Sequence, residues 1–201
     1  LASYVRDLGG GLFLLGGDRS MGPGGYAGSP LEDVSPVSFD LKQERRRASL
    51  AEVIAIDISG SMGMEVGGKT KLELANEAAA RSANLLGPGD HLGVVAVDTI
   101  PYWAVRLAPV SDKAAIEKAI RSVAPGGGGI YVDVALAEAY GALRPAKVNL
   151  KHVLLFADGS DAENITPAVN AAVAQAFKNG ITTSCVSLGR GMDLPALERI
   201  S

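Results

Sequence analysis

Three oxygen-bearing side chains fall on alternate positions in the stretch DISGSMG (57–63): Asp57, Ser59 and Ser61. They follow the apolar run EVIAI (52–56), and a second carboxylate, Asp158, closes the apolar run HVLLFA (152–157). A spacing of two lets a turning loop aim alternate side chains at one point, and Gly60 eases the turn. One chemistry that fits is a hard divalent cation. Mg2+ or Mn2+ takes roughly six oxygen ligands and usually keeps several waters. Asp57, Ser59, Ser61 and Asp158 offer such oxygens. Few carboxylates among neutral hydroxyls leave the ion under-neutralised, so an Asp or Glu from a protein partner can complete its shell.

A second chemistry competes. GMEVGGKT (Gly63–Thr70) matches the phosphate-loop pattern G-x-x-x-x-G-K-[ST], with Lys69 and Thr70 in its last two places and VLLFAD (153–158) as an acidic companion strand ending at Asp158. Against a nucleotide, a phosphate loop leaves its strand directly, whereas ISGSM intervenes here, and Thr70 also serves as a helix cap. Covalent catalysis lacks its parts. ISGSM is not a G-x-S-x-G elbow, His91 and His152 both open strand-like runs, and an aspartyl phosphotransfer site would want a second Asp where Ser59 stands. The expectation is a chain that is not an enzyme.

The composition bounds the rest. The chain has 201 residues, 47% of them hydrophobic, with 25 Gly and 5% aromatics, so one core is built from Ala, Val, Leu and Ile. A net charge of −3, with no basic cluster beyond Arg45–Arg47, argues against nucleic acid as the main partner. Cys185 is the single cysteine, so no internal disulfide supports the fold. No apolar run approaches the ~18 residues of a membrane span, so no direct membrane insertion by this segment is expected. The chain opens on Leu and stops within a helical pattern, LERIS, which reads as an excised piece of a longer polypeptide.

The oxygen-bearing loops need strands and helices to hold them. EVIAI and HVLLFA are near-continuous apolar runs, as in strands covered on both faces. HLGVVAV (91–97) and ITTSCVSL (181–188) read as further strands, and PYWAVRL (101–107) as an antiparallel edge strand in a hairpin with 91–97. Thr70 and Glu73 form a capping box, with Leu72, Ala75, Ala79, Ser82 and Leu86 facing inward before Gly87 ends the helix. Ser111 caps a helix burying Ile116, Ala119, Ile120 and Val123. Another runs from about Tyr131 to Leu143. Thr166–Pro167 starts one burying Val169, Ala172, Val173, Ala176 and Phe177, ended by Asn179–Gly180. Asp193–Leu194–Pro195 opens a last helix. The alternation predicts an α/β fold with an open, mostly parallel sheet, one antiparallel edge strand and helices on both faces.

In their order and spacing DISGSMG, KLELANEAAARSANLLGPGD, HLGVVAVD and KHVLLFADGSDAEN resemble the von Willebrand factor type A family over about residues 50–201. The resemblance implies a three-layer Rossmann-like fold with a metal-ion-dependent adhesion site. Asp57, Ser59 and Ser61 would form its first loop and Asp158 its last. It also implies Mg2+ or Mn2+ and a protein partner met through an acidic side chain. In one respect the chain departs from the family. The second, Gly-rich loop normally supplies a Thr hydroxyl, but in PGGGGIYVDVALAEAY that place falls on Ile130 or Gly129. Tyr131 and Asp133 are the nearby side chains that carry oxygen.

Residues 1–45 form a second region, set apart from a domain at 46–201. GGGLFLLGG reads as a strand between glycines, with a short helix within 1–8 and then a long Gly/Pro/Ser-rich loop. The stretch GGGLFLLGGDRSMGPGGYAGSPLEDVSPV is similar to a segment of large bacterial membrane proteins. In these, a type A domain is embedded in a glutamine-amidotransferase-like domain. This implies a larger, membrane-anchored bacterial protein. No Cys stands in the stretch to act as an amidotransferase nucleophile.

Overall fold

Eight residues, Leu50–Asp57, form the first strand, β1, and every one from Ala51 onward is buried. A strand sealed on both faces needs neighbours on both sides and helices above and below, and the chain supplies them. The structure is a computed structural model that describes residues 2–17, 20, 24–39, 48–129, 131–159, 167–189 and 194–200. It divides into two compact units, Leu1–Arg47 and Ala48–Ser201.

In the first unit a short helix α1, Ala2–Arg6, and a single 3-10 turn at Glu32–Val34 are the only regular elements among the described residues. The strand expected in GGGLFLLGG does not form: residues 11–17 carry no regular structure, and Phe13 and Leu15 are exposed. An apolar run becomes a strand only when a partner satisfies its backbone groups, and the described residues supply none here.

The second unit contains the sheet. After β1 come a two-residue hairpin of β2, Glu65–Val66, and β3, Lys69–Thr70, and then helix α2, Lys71–Leu85. Strands β4, His91–Val97, and β5, Pro101–Pro109, follow, with helices α3, Lys113–Arg121, and α4, Val132–Leu143. Strand β6, Leu150–Ala157, helix α5, Pro167–Lys178, strand β7, Ile181–Ser187, and helix α6, Leu194–Glu198, complete it. The sheet order is β5-β4-β1-β6-β7. All pairings are parallel except β4 with β5. The mixed sheet and its antiparallel edge strand agree with the sequence expectation.

Alternate residues of β1 face opposite layers. Ala51, Val53 and Ala55 pack with Leu136, Ala139 and Leu143 of α4, Val169 of α5 and Leu197 of α6. Ile54 and Ile56 pack with Leu72, Ala75 and Ala79 of α2 and Ile120 of α3. Small alanines on α2 let that helix lie close to the sheet, which matches a composition poor in aromatics. The Thr70–Glu73 capping box forms as expected, with both reciprocal hydrogen bonds. At α3 the cap is Asp112 rather than Ser111: its carboxylate accepts the Ala115 N–H at 2.9 Å. The expected buried stripe of α5 is narrower than its periodicity suggests. Val169 and Ala176 are buried, but Ala172 and Phe177 are exposed. Thr166 and Asp193 lie outside the described residues. Cys185 is partly buried against the core, and burial pushes its thiol up to about 11.

No helix among the described residues is long and apolar enough to cross a membrane.

Candidate metal centre

The neighbours of β1 decide where a ligand can sit. Strand β4 lies on one side of it and β6 on the other, so the connections leaving the carboxyl end of β1 diverge, and a crevice opens at that end. Asp57 is the last residue of β1, and Asp158 directly follows β6. With Ile56 paired to Phe156, the two carboxylates stand at the ends of adjacent strands, and each is fully buried.

Past Asp57 the chain turns at once. The Ser59 N–H donates to Asp57 Oδ1 at 2.8 Å, and the residues Gly60–Gly63 make a 3-10 turn. This turn folds Ser61 back towards Ser59, so that their hydroxyl oxygens lie 3.1 Å apart. Ser59 is buried completely, and Met62 anchors the turn from below in the core. Asp57, Ser59 and Ser61, singled out in the sequence by their spacing, are thus drawn together. The Asp57 carboxyl is held up at about 6, chiefly by burial, partly offset by its hydrogen bonds to Ser59 and raised further by the Asp158 charge nearby. Its Oδ2 atom is buried and has no hydrogen-bond partner among the described residues.

The Gly-rich connection does reach the crevice. The Gly126 N–H donates to the Ile58 carbonyl at 2.7 Å, and the Gly60 N–H to the Gly128 carbonyl at 3.2 Å, so two backbone bonds fasten the second loop to the first. A side chain at Gly126 would collide with Asp98: a Cβ there would stand 2.4 Å from Asp98 Oδ2 and 3.1 Å from the Ile58 carbonyl oxygen. Asp98, directly after β4, accepts the Ile100 N–H at 3.1 Å, and the backbone N–H groups around it, that of Ile100 foremost, hold its carboxyl below the usual range. Asp98 thus lies against the second loop at Gly126, a neighbour that no motif in the sequence signals. Tyr131 is the N-cap position of α4 and Asp133 an exposed residue of its first turn. Gly129 is exposed, and Ile130 lies outside the described residues.

One cation is already present. Lys71 Nζ donates to Asp158 Oδ2 at 2.7 Å, and the side chains are 8% and 0% exposed. Nothing in the spacing of Lys71 announces this, because it reads as an ordinary first residue of a helix. The pattern GMEVGGKT, by contrast, folds as the β2–β3 hairpin, turned by Gly67 and Gly68 at φ 63° and 82°. Lys69 is exposed on that hairpin, and the Thr70 hydroxyl accepts the Glu73 N–H. A phosphate loop wraps its backbone N–H groups around an anion at a helix N-terminus; here the capping box has taken that place. His152 bonds Thr182 across β6 and β7, at 2.8 Å, and burial holds its imidazole below the ordinary value. Among the described residues, no group of three or more His, Cys, Asp and Glu side chains comes together as a metal site. The oxygens that the described residues bring together here are the Asp57 and Asp158 carboxylates and the Ser59 and Ser61 hydroxyls.

A three-layer α/β domain with an oxygen-lined crevice at its switch point defines the class. The family model described as von Willebrand factor type A domain matches residues 53–160, more than half of the chain. The chain belongs to the von Willebrand factor type A domain family, whose members are protein-interaction modules.

Solved structures agree on the fold. A von Willebrand factor type A protein from Catenulispora acidiphila is similar at 29% identity and TM-score 0.61, over 76% of this chain and 36% of that one. Proximal thread matrix protein 1 from the mussel byssus, with a zinc-occupied metal-ion-dependent adhesion motif, aligns at 20% identity and TM-score 0.66, over 77% and 39%. An aerotolerance-related membrane protein from Bacteroides fragilis aligns at 20% and 0.60, over 69% and 67%. The chain therefore spans little more than a third of the first two proteins. No curated protein matches it.

Proposed function

We propose that this domain docks a protein partner through a divalent cation, Mg2+ or Mn2+, held by Asp57, Ser59 and Ser61 with Asp158 alongside. An acidic side chain of the partner completes the shell. One observation carries the reading: a fully buried carboxylate oxygen, Asp57 Oδ2, that has no hydrogen-bond partner among the described residues, in a turn that also brings two hydroxyl oxygens to 3.1 Å. A buried, unpaired carboxylate oxygen is expensive, and a bound cation removes that cost. The zinc-occupied motif of the mussel byssus protein supports the same use of the fold. Because Thr is missing from the second loop, water takes that coordination position and affinity is modest.

The domain acts as a binding module and not as an enzyme, a reading that rests on its sequence, where ISGSM is not a G-x-S-x-G elbow and Ser59 stands where an aspartyl phosphotransfer site would want a second Asp. The full-length protein is bacterial and membrane-anchored, a reading supported by the name of the Bacteroides fragilis relative. Residues 1–45 belong to a glutamine-amidotransferase-like flank, a reading that rests on their sequence alone.

Calorimetric titration of Mg2+ and then Mn2+ into chelator-stripped protein tests the metal. Saturable binding that disappears in Asp57→Ala is the expected result. Absence of heat and of any melting shift at ~10 mM metal would leave a metal-free scaffold instead. Stabilisation by ATP that is lost in Lys69→Ala would revive the nucleotide reading.

A further inference from the structure

Lys71 has no part in the docking chemistry above, yet it holds Asp158, the last of the expected ligands. We infer that Lys71 is a tethered cation that competes with the divalent ion for Asp158, and so sets how readily the site takes a metal. The inference rests on the metal reading of the same crevice.

The placement of Lys71 supports this role. It is the first residue of α2, where the helix dipole disfavours positive charge. It is also 7% exposed, although a lysine at a helix end normally extends into water. A lysine held there against both tendencies needs an anion, and Asp158 Oδ2 at 2.7 Å supplies it. The ammonium also lies close to Gly189, after β7, so it sits within the loops that surround the crevice and not on the outer face of the helix.

The charges explain the consequence. Two buried carboxylates, Asp57 and Asp158, stand at the ends of adjacent strands, and one buried ammonium, that of Lys71, is paired with Asp158. A divalent ion entering beside Asp57 must share Asp158 with that ammonium or displace it, and like charges at close range in a dry site repel strongly. Until then the ammonium neutralises Asp158, so the fold does not depend on metal to cover that charge. A lysine serving only as a structural strut would have the opposite effect: its loss would loosen the loops and weaken any metal.

The test is metal titration of the 201-residue chain as wild type, Lys71→Met and Asp57→Ala. Lys71→Met keeps the length of the side chain without its charge. It should bind Mg2+ or Mn2+ at least tenfold more tightly than wild type, while its metal-free form melts lower and regains stability on metal addition. Lys71→Gln, which can still donate to Asp158, replaces Lys71→Met if the latter does not fold, and should also bind more tightly than wild type. Equal or weaker binding by the neutral variants, with wild type still binding through Asp57, would overturn the competition and leave the metal reading standing. Binding by the neutral variants alone would support it and show that the native chain keeps its site closed to metal. No binding by any of them would overturn both readings.

Discussion

Asp57 is where sequence, burial and pH meet at the scale of one residue. Its carboxyl sits at about 6 in the fold against an ordinary 3.8. Between those values the folded domain holds a proton there that the unfolded chain has released. The unfolded state binds fewer protons, so stability falls as pH rises. The contribution is fully present below about pH 4 and is lost as pH passes through 6. A rise of that size corresponds to about 3 kcal/mol at most. Chemical unfolding of the metal-free protein at pH 4 to 7.5 should show this decline. Asp57→Asn should flatten it and raise stability at pH 7.5 by up to ~3 kcal/mol, while abolishing metal binding. A variant that is no more stable than wild type at neutral pH would show that the buried charge is not the burden its surroundings suggest.

At the scale of elements, the crevice depends on how two loops are joined. The turn after β1 and the connection before α4 are stitched by the Gly126–Ile58 and Gly60–Gly128 backbone bonds, and Asp98 lies against the second loop at Gly126. Gly126→Ala puts a methyl group against Asp98 Oδ2 and the Ile58 carbonyl, and Ile58 lies between Asp57 and Ser59, two of the proposed ligands. The Asp98 carboxylate must turn aside and the Ile58 carbonyl yield by a few tenths of an ångström, at a cost of about 1 kcal/mol. Urea unfolding should register that loss, and metal titration a weaker site. Gly129→Ala, where nothing lies within 4 Å, is the control and should change neither. If both alanines behave alike, loop stitching does not position the ligands.

At the scale of the whole molecule, both hydrophobic clusters are drawn entirely from residues beyond Arg47. A chain of residues 48–201 should therefore unfold cooperatively on its own, with a melting temperature within a few degrees of the full chain by calorimetry, since about 1 kcal/mol corresponds to 2–4 °C at this size. A collapse of stability without 1–47 would favour a scaffold that depends on its flank. What the sequence by itself determined was the periodic part: Val and Ile runs for central strands, the Thr70–Glu73 box, the helix ending at Leu143, and the DISGSMG turn whose spacing of two draws Asp57, Ser59 and Ser61 together. These are local or repeated signals, with each residue reporting on neighbours a few positions away. Tertiary structure decided the rest, because it turns on partners remote in the chain. GGGLFLLGG has strand composition but pairs with no strand among the described residues. Phe177 shares the spacing of Val169 and Ala176 but stays exposed, because helical spacing does not fix how wide a stripe the packing covers. The letters of a phosphate loop became a hairpin once two glycines turned it and Thr70 capped a helix. Lys71, unremarkable at a helix start, became a buried counter-ion only when β6 carried Asp158 to within 2.7 Å of it across 87 residues of chain.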